Sequence, residues 1–220
     1  MVRSAQFYQE ATVTDFFCAR GLSCIRQDRV LFQGLDLELV PGQLLQVQGK
    51  NGAGKSSLLR LLAGLSTPDD GEILFRGQPL SQQLDEFATS LCYIGHQSGI
   101  HEHLTALENL AFWRAAYELP YQDNLSLLGE LGLAGLEDVP CRMLSAGQQR
   151  RVSLARLWLT QAPLWILDEP FTALDQHSIA RLQQRFHQQL AAGGAIIVTT
   201  HQPLSVDFPS LKTLELAYRW

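Results

Sequence analysis

Gly49-Lys50-Asn51-Gly52-Ala53-Gly54-Lys55-Ser56 satisfies every fixed position of the pattern G-x-x-x-x-G-K-[ST]. A loop that wraps a polyphosphate must offer backbone N–H groups at close range, so glycine stands where a Cβ would block the approach. Lys55 is then placed to reach the β- and γ-phosphates as a point charge, and the Ser56 hydroxyl to ligate Mg²⁺. The flanks agree. Leu44-Leu45-Gln46-Val47-Gln48 reads as a strand entering the loop, and Leu58, Leu59, Leu61 and Leu62 recur with helical spacing until Gly64 stops the run. Such a helix aims its N-terminus, with its partial positive charge, at the phosphates. The predicted nucleotide contacts are Gly49, Lys50, Asn51, Gly52, Ala53, Gly54, Lys55, Ser56 and Ser57.

The rest of the composition narrows the field. A chain of 220 residues forms one or two domains and can bury roughly 70–75% of its unfolded surface. Hydrophobic content of 46% with 18% charged residues is that of a globular protein. A net charge of −5 argues against binding nucleic acid through a basic surface. Of three lysines, Lys50 and Lys55 lie in the glycine-rich loop. Cys18, Cys24, Cys92 and Cys141 form neither a C-x-x-C pair nor a zinc spacing and read as reduced thiols. No apolar run approaches the ~20 residues needed to cross a bilayer, so any membrane role must come through a partner.

Residues 1–15 read as a flexible N-terminal tail and 16–220 as one domain. Short β-type runs follow at Phe16–Ala19, Ser23–Ile25, Arg29–Phe32 and Leu35–Leu39, with Pro41-Gly42 turning the chain into the phosphate-loop strand. Two further strands are predicted at Glu72–Phe75 and Leu91–Ile94. From Leu104 to Leu133 the apolar spacing is helical, with a capping box at Thr105 and Glu108 and a second helix opened by Asp123. A helix is expected from about Gly147 to Thr160, a buried strand at Leu164–Leu167, a helix capped by Asp175 and stopped by Gly193-Gly194, and a final core strand at Ala195–Thr200. Strands alternating with helices predict a mostly parallel sheet covered on both faces, with ligand loops at the strand C-termini.

Two more clusters carry chemistry. Leu164-Trp165-Ile166-Leu167 ends in Asp168-Glu169, which beside a phosphate loop reads as a Walker B element. Asp168 would hold Mg²⁺ and Glu169 would polarise the attacking water. Leu144-Ser145-Ala146-Gly147-Gln148 precedes a helix, with Ser145 at the N-cap and Gln148 at N3. Followed by Gln149-Arg150-Arg151-Val152-Ser153, it resembles the LSGGQ signature of ABC ATPases, with Ala146 in place of the usual glycine.

That resemblance covers nearly the whole chain from residue 16 and implies an α/β fold. The expected architecture is a P-loop NTPase with a mostly parallel core sheet, an N-terminal antiparallel β subdomain and a helical subdomain inserted at about residues 98–143. It implies ATP and Mg²⁺ as ligands. It further implies a head-to-tail homodimer formed with ATP, in which Ser145, Gly147 and Gln148 clasp the γ-phosphate on the opposite subunit. Asp175 then matches the D-loop aspartate, His201 the switch histidine at the γ-phosphate, and Gln97 the Q-loop glutamine that senses Mg²⁺ and water. Arg26 falls where the family carries an aromatic residue against adenine, and a guanidinium can also lie flat on a base.

Three stretches are similar to one branch: Tyr93–Leu110, Leu144–Leu159 and Ala162–Ala173. They resemble ATP-binding subunits of the haem exporters of cytochrome c maturation. The resemblance implies an integral membrane permease as partner and a peripheral position on the cytoplasmic face of the bacterial inner membrane, with the chain soluble when alone. Two alternatives stay open: an ABC ATPase for another substrate such as a drug or lipid, and a soluble ABC protein outside transport. A P-loop GTPase is disfavoured, because no N-K-x-D base-reading motif occurs.

Overall fold

In the computed structural model, residues 16–119, 123–202, 204, 208 and 210–218 are described; the tail expected at residues 1–15 lies outside them. β1 (Phe17–Arg26) and β2 (Arg29–Leu39) form a long antiparallel hairpin. The sequence breaks this region into four short runs because the inside–outside alternation is interrupted. The structure supplies the reason: register shifts lie between Ala19 and Leu22, Leu22 and Cys24, and Cys24 and Ile25, with Gly21 at φ 62°. Each bulge resets the period-2 pattern without ending the strand.

β3 (Leu44–Gly49) leads through the glycine-rich loop into α1 (Lys55–Leu62). β4 (Asp70–Phe75) and β5 (Gln78–Pro79) return to the first sheet, whose order is β2-β1-β4-β5, antiparallel throughout. α2 (Leu84–Ser90) and β6 (Leu91–Ile94) follow, then the helical stretch with α3 (Ala106–Ala116) and α4 (Asn124–Glu130). The chain re-enters the core through α5 (Ala146–Leu154), α6 (Arg156–Leu159), β7 (Leu164–Asp168), α7 (Gln176–Ala191), β8 (Ala195–Thr199) and β9 (Leu211–Leu216). The second sheet has the order β6-β7-β8-β3-β9 and is parallel throughout.

β7 and β8 are buried at every residue, which is why they read as unbroken apolar runs. Leu58, Leu59, Leu61 and Leu62 of α1 are fully buried in a core shared by both sheets. At roughly 1.5–3 kcal/mol per leucine, they fix the helix that follows the phosphate loop. A second core lies between the parallel sheet and α7, around Trp165, Phe171 and Phe186. A third joins α3 and α4 to α5 and α6 through Leu110, Trp113, Leu128 and Val152.

The capping boxes at Thr105/Glu108 and Ser145/Gln148 are both formed, and Asp123 and Asp175 cap α4 and α7. Two sequence expectations need correction. The core does not end at Ala195–Thr200: β9 follows as the edge strand beside β3. Only Leu216 of β9 is buried, so no apolar run announces it. The helix expected from Gly147 to Thr160 is divided at Ala155 into α5 and α6. One element, α2, goes unannounced by the sequence: it shows no apolar periodicity, since Phe87 is its one buried hydrophobic anchor. No helix among the described residues is long and apolar enough to cross a membrane.

Candidate active site

The loop between β3 and α1 is built by close backbone approach. A Cβ on Gly49 would lie 2.7 Å from the Leu216 carbonyl oxygen of β9, so only glycine fits. Gly54, at φ 98°, is the N-cap of α1 and packs against Leu31 and Phe32 of β2. Lys55 is buried, and its Nζ donates to Gly49 O at 2.7 Å and Lys50 O at 3.4 Å, folding the loop around its own cation. Lys50 points to solvent, as do Asn51 and the Ser56 hydroxyl residue at the start of α1. Beside the loop lies a cleft of about 660 Å³ lined by Arg26, Leu31, Asn51, Gly52, Gly54, Lys55, Ser56, Ser57, His96, Asp168, Glu169, Thr172 and His201.

The opposite wall comes from the ends of β7 and β8. Asp168 is 2% exposed, and its Oδ1 accepts the Thr199 hydroxyl at 2.7 Å. The same Thr199 oxygen accepts the Glu169 N–H at 2.9 Å, so one side chain fixes both acids. Glu169 has φ 48°, a left-handed conformation that costs a non-glycine residue of order 1–3 kcal/mol and turns its side chain out of the strand line. His201 N donates to Glu169 Oε2 at 3.3 Å. His201 Nε2 stands 3.4 Å from Glu169 Oε1, an oxygen shielded from solvent that has no hydrogen-bond partner among the described residues.

Arg150, on α5, ties these strand ends together. Its Nη2 donates to Asp168 O and Glu169 O, each at 2.9 Å, its Nη1 to Gly95 O at 3.3 Å and its Nε to Pro170 O at 3.4 Å. Burial pushes its pKa down, opposed by the nearby Asp168 carboxylate. Ser153, one turn on, donates to Ser98 O. The carbonyls on either side of residues 96–97 are therefore both held by α5.

Of the sequence-predicted residues, the structure brings Arg26, Asn51, Gly52, Gly54, Lys55, Ser56, Ser57, Asp168, Glu169 and His201 to one cleft. Gln97 is exposed and lies outside the lining, where His96 stands instead. Ser145, Gly147, Gln148 and Asp175 are also outside it. Gly147 abuts the Ala173 carbonyl, which a Cβ would approach to 2.6 Å, whereas the Ala146 methyl is exposed and meets no such obstacle. Sequence reading missed Arg150, Thr199 and His96. Thr199 was detectable as a hydroxyl at the buried end of a strand beside the acid-bearing one; Arg150 was not, because a basic helix residue normally faces solvent.

A cleft at the C-terminal ends of a parallel sheet, floored by a phosphate loop and walled by paired acids, defines a P-loop nucleotide-binding protein. The ABC transporter family matches residues 32–172. The cytochrome c biogenesis ATP-binding export protein CcmA of Escherichia coli K12 is 54% identical over 198 residues, covering 90% of this chain and 95% of that protein. The protein of the same name from Shigella sonnei is 53% identical with the same coverage. Among solved structures, an ATP-binding subunit of an ABC transporter aligns at a TM-score of 0.77 with 29% identity, over 84% of this chain and 79% of that one. The dimeric post-hydrolysis cassette MJ0796 with ADP and Pi aligns at 0.75 over 91% and 96%, and its 21% identity bears on the fold alone. The chain belongs to the CcmA family of ABC transporter ATPases.

Proposed function

We propose that this chain hydrolyses ATP as the energy-supplying subunit of the export complex of cytochrome c biogenesis, with haem as the species handled. The observation that carries the catalytic part is Glu169 Oε1, a carboxylate oxygen shielded from solvent, 3.4 Å from His201 Nε2 and without a hydrogen bond among the described residues, in the same cleft as Lys55. It accepts the proton of the water that attacks the γ-phosphorus, while the bond from that phosphorus to the β,γ-bridging oxygen breaks and ADP leaves. Lys55 and the loop N–H groups balance the phosphate charge, and His201 orients Glu169 and reaches the γ-phosphate. Ser56 and Asp168 are hard oxygen donors lining one cleft, a set that suits Mg²⁺. When bound, the ion neutralises charge on the β- and γ-phosphates.

The residues left outside the cleft find their use in assembly. Ser145, Gly147 and Gln148, at the N-terminus of α5, meet the nucleotide of a second copy in a head-to-tail pair, with Asp175 beside them. Gln97, held between two anchored carbonyls, passes movement to an integral membrane partner. The chain is then peripheral at the cytoplasmic face of the inner membrane, through that partner. The test is genetic and biochemical. In a bacterial host with a cytochrome c maturation pathway, replacing the native subunit with the Lys55→Ala form abolishes covalent haem attachment while cytosolic haemoproteins persist, as read on haem-stained gels. Normal c-type cytochromes in that strain would redirect the assignment to another exported substrate.

A further inference from the structure

A second cavity, of about 210 Å³, shares no lining residue with the nucleotide cleft. It opens where three elements converge: the end of α4 with Gly129 to Gly132, the α5–α6 pair through Arg151, Leu154 and Trp158, and the start of α7 through Arg181 and Leu182. Its apolar wall is Leu131, Leu154 and Leu182, all buried, with Leu174 and Trp158 half-buried. Two guanidinium groups enter it from different walls. Arg181 Nη1 is shielded from solvent and has no hydrogen-bond partner among the described residues. No carboxylate lies within ion-pairing distance of Arg151 or Arg181 among those residues, although Glu130 stands exposed at the rim and the Asp175 carboxylate, next to Leu174 of the lining, feels the charge of Arg151.

A buried donor left unpaired costs about 1–3 kcal/mol, more when it is charged, so this wall favours an anionic acceptor. A free inorganic anion would leave the leucine and tryptophan surface uncovered. The volume is below the ~300–1,000 Å³ of sites for drug-sized molecules, which limits the occupant to a small one. We propose that this cavity binds a small aromatic carboxylate, its ring against Trp158 and the leucines and its carboxylate on Arg181, with Arg151 adding charge. The walls belong to the helical insertion, to the helix that begins at Ser145 and to the core helix after Asp175. An occupant joins all three and lowers ATP turnover without competing with ATP. The binding itself is independent of the haem reading, and only its effect on turnover rests on the ATPase assignment.

The probe is benzoate, with neutral benzamide as its isosteric control, added to the full chain and followed by ligand-detected NMR. Benzoate binds saturably with a Kd on the order of 1 mM, at least tenfold tighter than benzamide. Arg181→Met weakens benzoate at least tenfold while ATPase activity stays within about twofold. Gly129→Leu tests the cavity without touching its charge. Gly129 is an exposed lining residue of the cavity and nothing lies within 4 Å of a Cβ there, so a leucine is accommodated without a clash and should narrow the entrance to benzoate. Equal affinity for benzoate and benzamide, displacement of benzoate by ATP, or unchanged binding in both variants would overturn the proposal.

Discussion

Arg150 Nη2 donates to the carbonyl oxygen of Glu169 at 2.9 Å, joining a helix to the strand end nineteen residues further along the chain. Through this bond the backbone of Glu169, the proposed general base, is held from behind by a residue outside the cleft lining. Arg150→Lys keeps the charge but not the fork that serves several carbonyls at once. Displacements of about 1 Å at a reacting group can cost 10²-fold. Turnover should therefore fall about 10-fold for Arg150→Lys and about 100-fold for Arg150→Met, with ATP affinity little changed. Steady-state ATPase rates beside equilibrium nucleotide binding check this; an equal loss in both quantities would reduce Arg150 to a folding role.

For Glu169→Gln the expected result is retained ATP binding with turnover reduced about 10²–10⁴-fold, the usual worth of a general base. The same variant with Mg·ATP should run as a dimer in light scattering, and ADP should not support it. A monomer at every ATP concentration, with and without the membrane partner, would count against the head-to-tail pair.

Arg26 is held at the edge of the cleft by Ile25 O at 2.7 Å and Asp69 Oδ2 at 3.3 Å. If it serves as the platform for adenine, as proposed, it would contribute about 0.5–2 kcal/mol. Arg26→Ala should raise the ATP dissociation constant several-fold, and Arg26→Tyr should restore it. An unchanged constant for the alanine variant assigns the base to another residue.

Gly147 and Ala146 are predicted to respond unequally to an exchange of glycine and alanine. Gly147→Ala drives a methyl into the Ala173 carbonyl, itself on a residue at φ 63°, and should cost about 1–3 kcal/mol in urea unfolding. Ala146→Gly removes an exposed methyl and should cost under about 1 kcal/mol. If the two variants unfold together, the contact with Ala173 does not constrain the segment.

Burial pushes the Cys92 thiol up to about 11. Because the folded value exceeds that of the unfolded thiol, the contribution to stability is whole below about pH 8.5 and is lost as pH rises toward 11. The slope is about 1.4 kcal/mol per pH unit. Tyr93 and Cys141, also raised by burial, act in the same direction. Urea midpoints between about pH 8 and 10.5 should fall more steeply for the native chain than for Cys92→Ala; parallel curves would place the titration elsewhere.

The phosphate loop, the acid pair and the signature segment were legible because each is a local pattern whose chemistry dictates its residues. The parallel sheet followed from the alternation of strands with helices, and β7 and β8 were legible as strands because, wholly buried, they read as unbroken apolar runs. What escaped was set by distant packing. β9 is polar along most of its length and is a strand only because β3 offers it an edge. Arg150 looks like any helix-surface arginine until the fold lays four carbonyls around it. The long β1–β2 hairpin looks like four short strands in the sequence because bulges scramble its alternation.

The contact between Gly49 and Leu216 has a consequence for biosynthesis. The phosphate loop is specified near residue 50, yet its flank is the backbone of a strand made about 165 residues later. Pairings of such separation close late, after local helices and hairpins have formed. A nascent chain on the ribosome can thus complete its β1–β2 hairpin early, while the nucleotide pocket lacks one side until residue 216 has emerged. ATP would discriminate between chains that include β9 and those stalled before Leu211, stabilising the former by mass action and leaving the latter open to proteolysis.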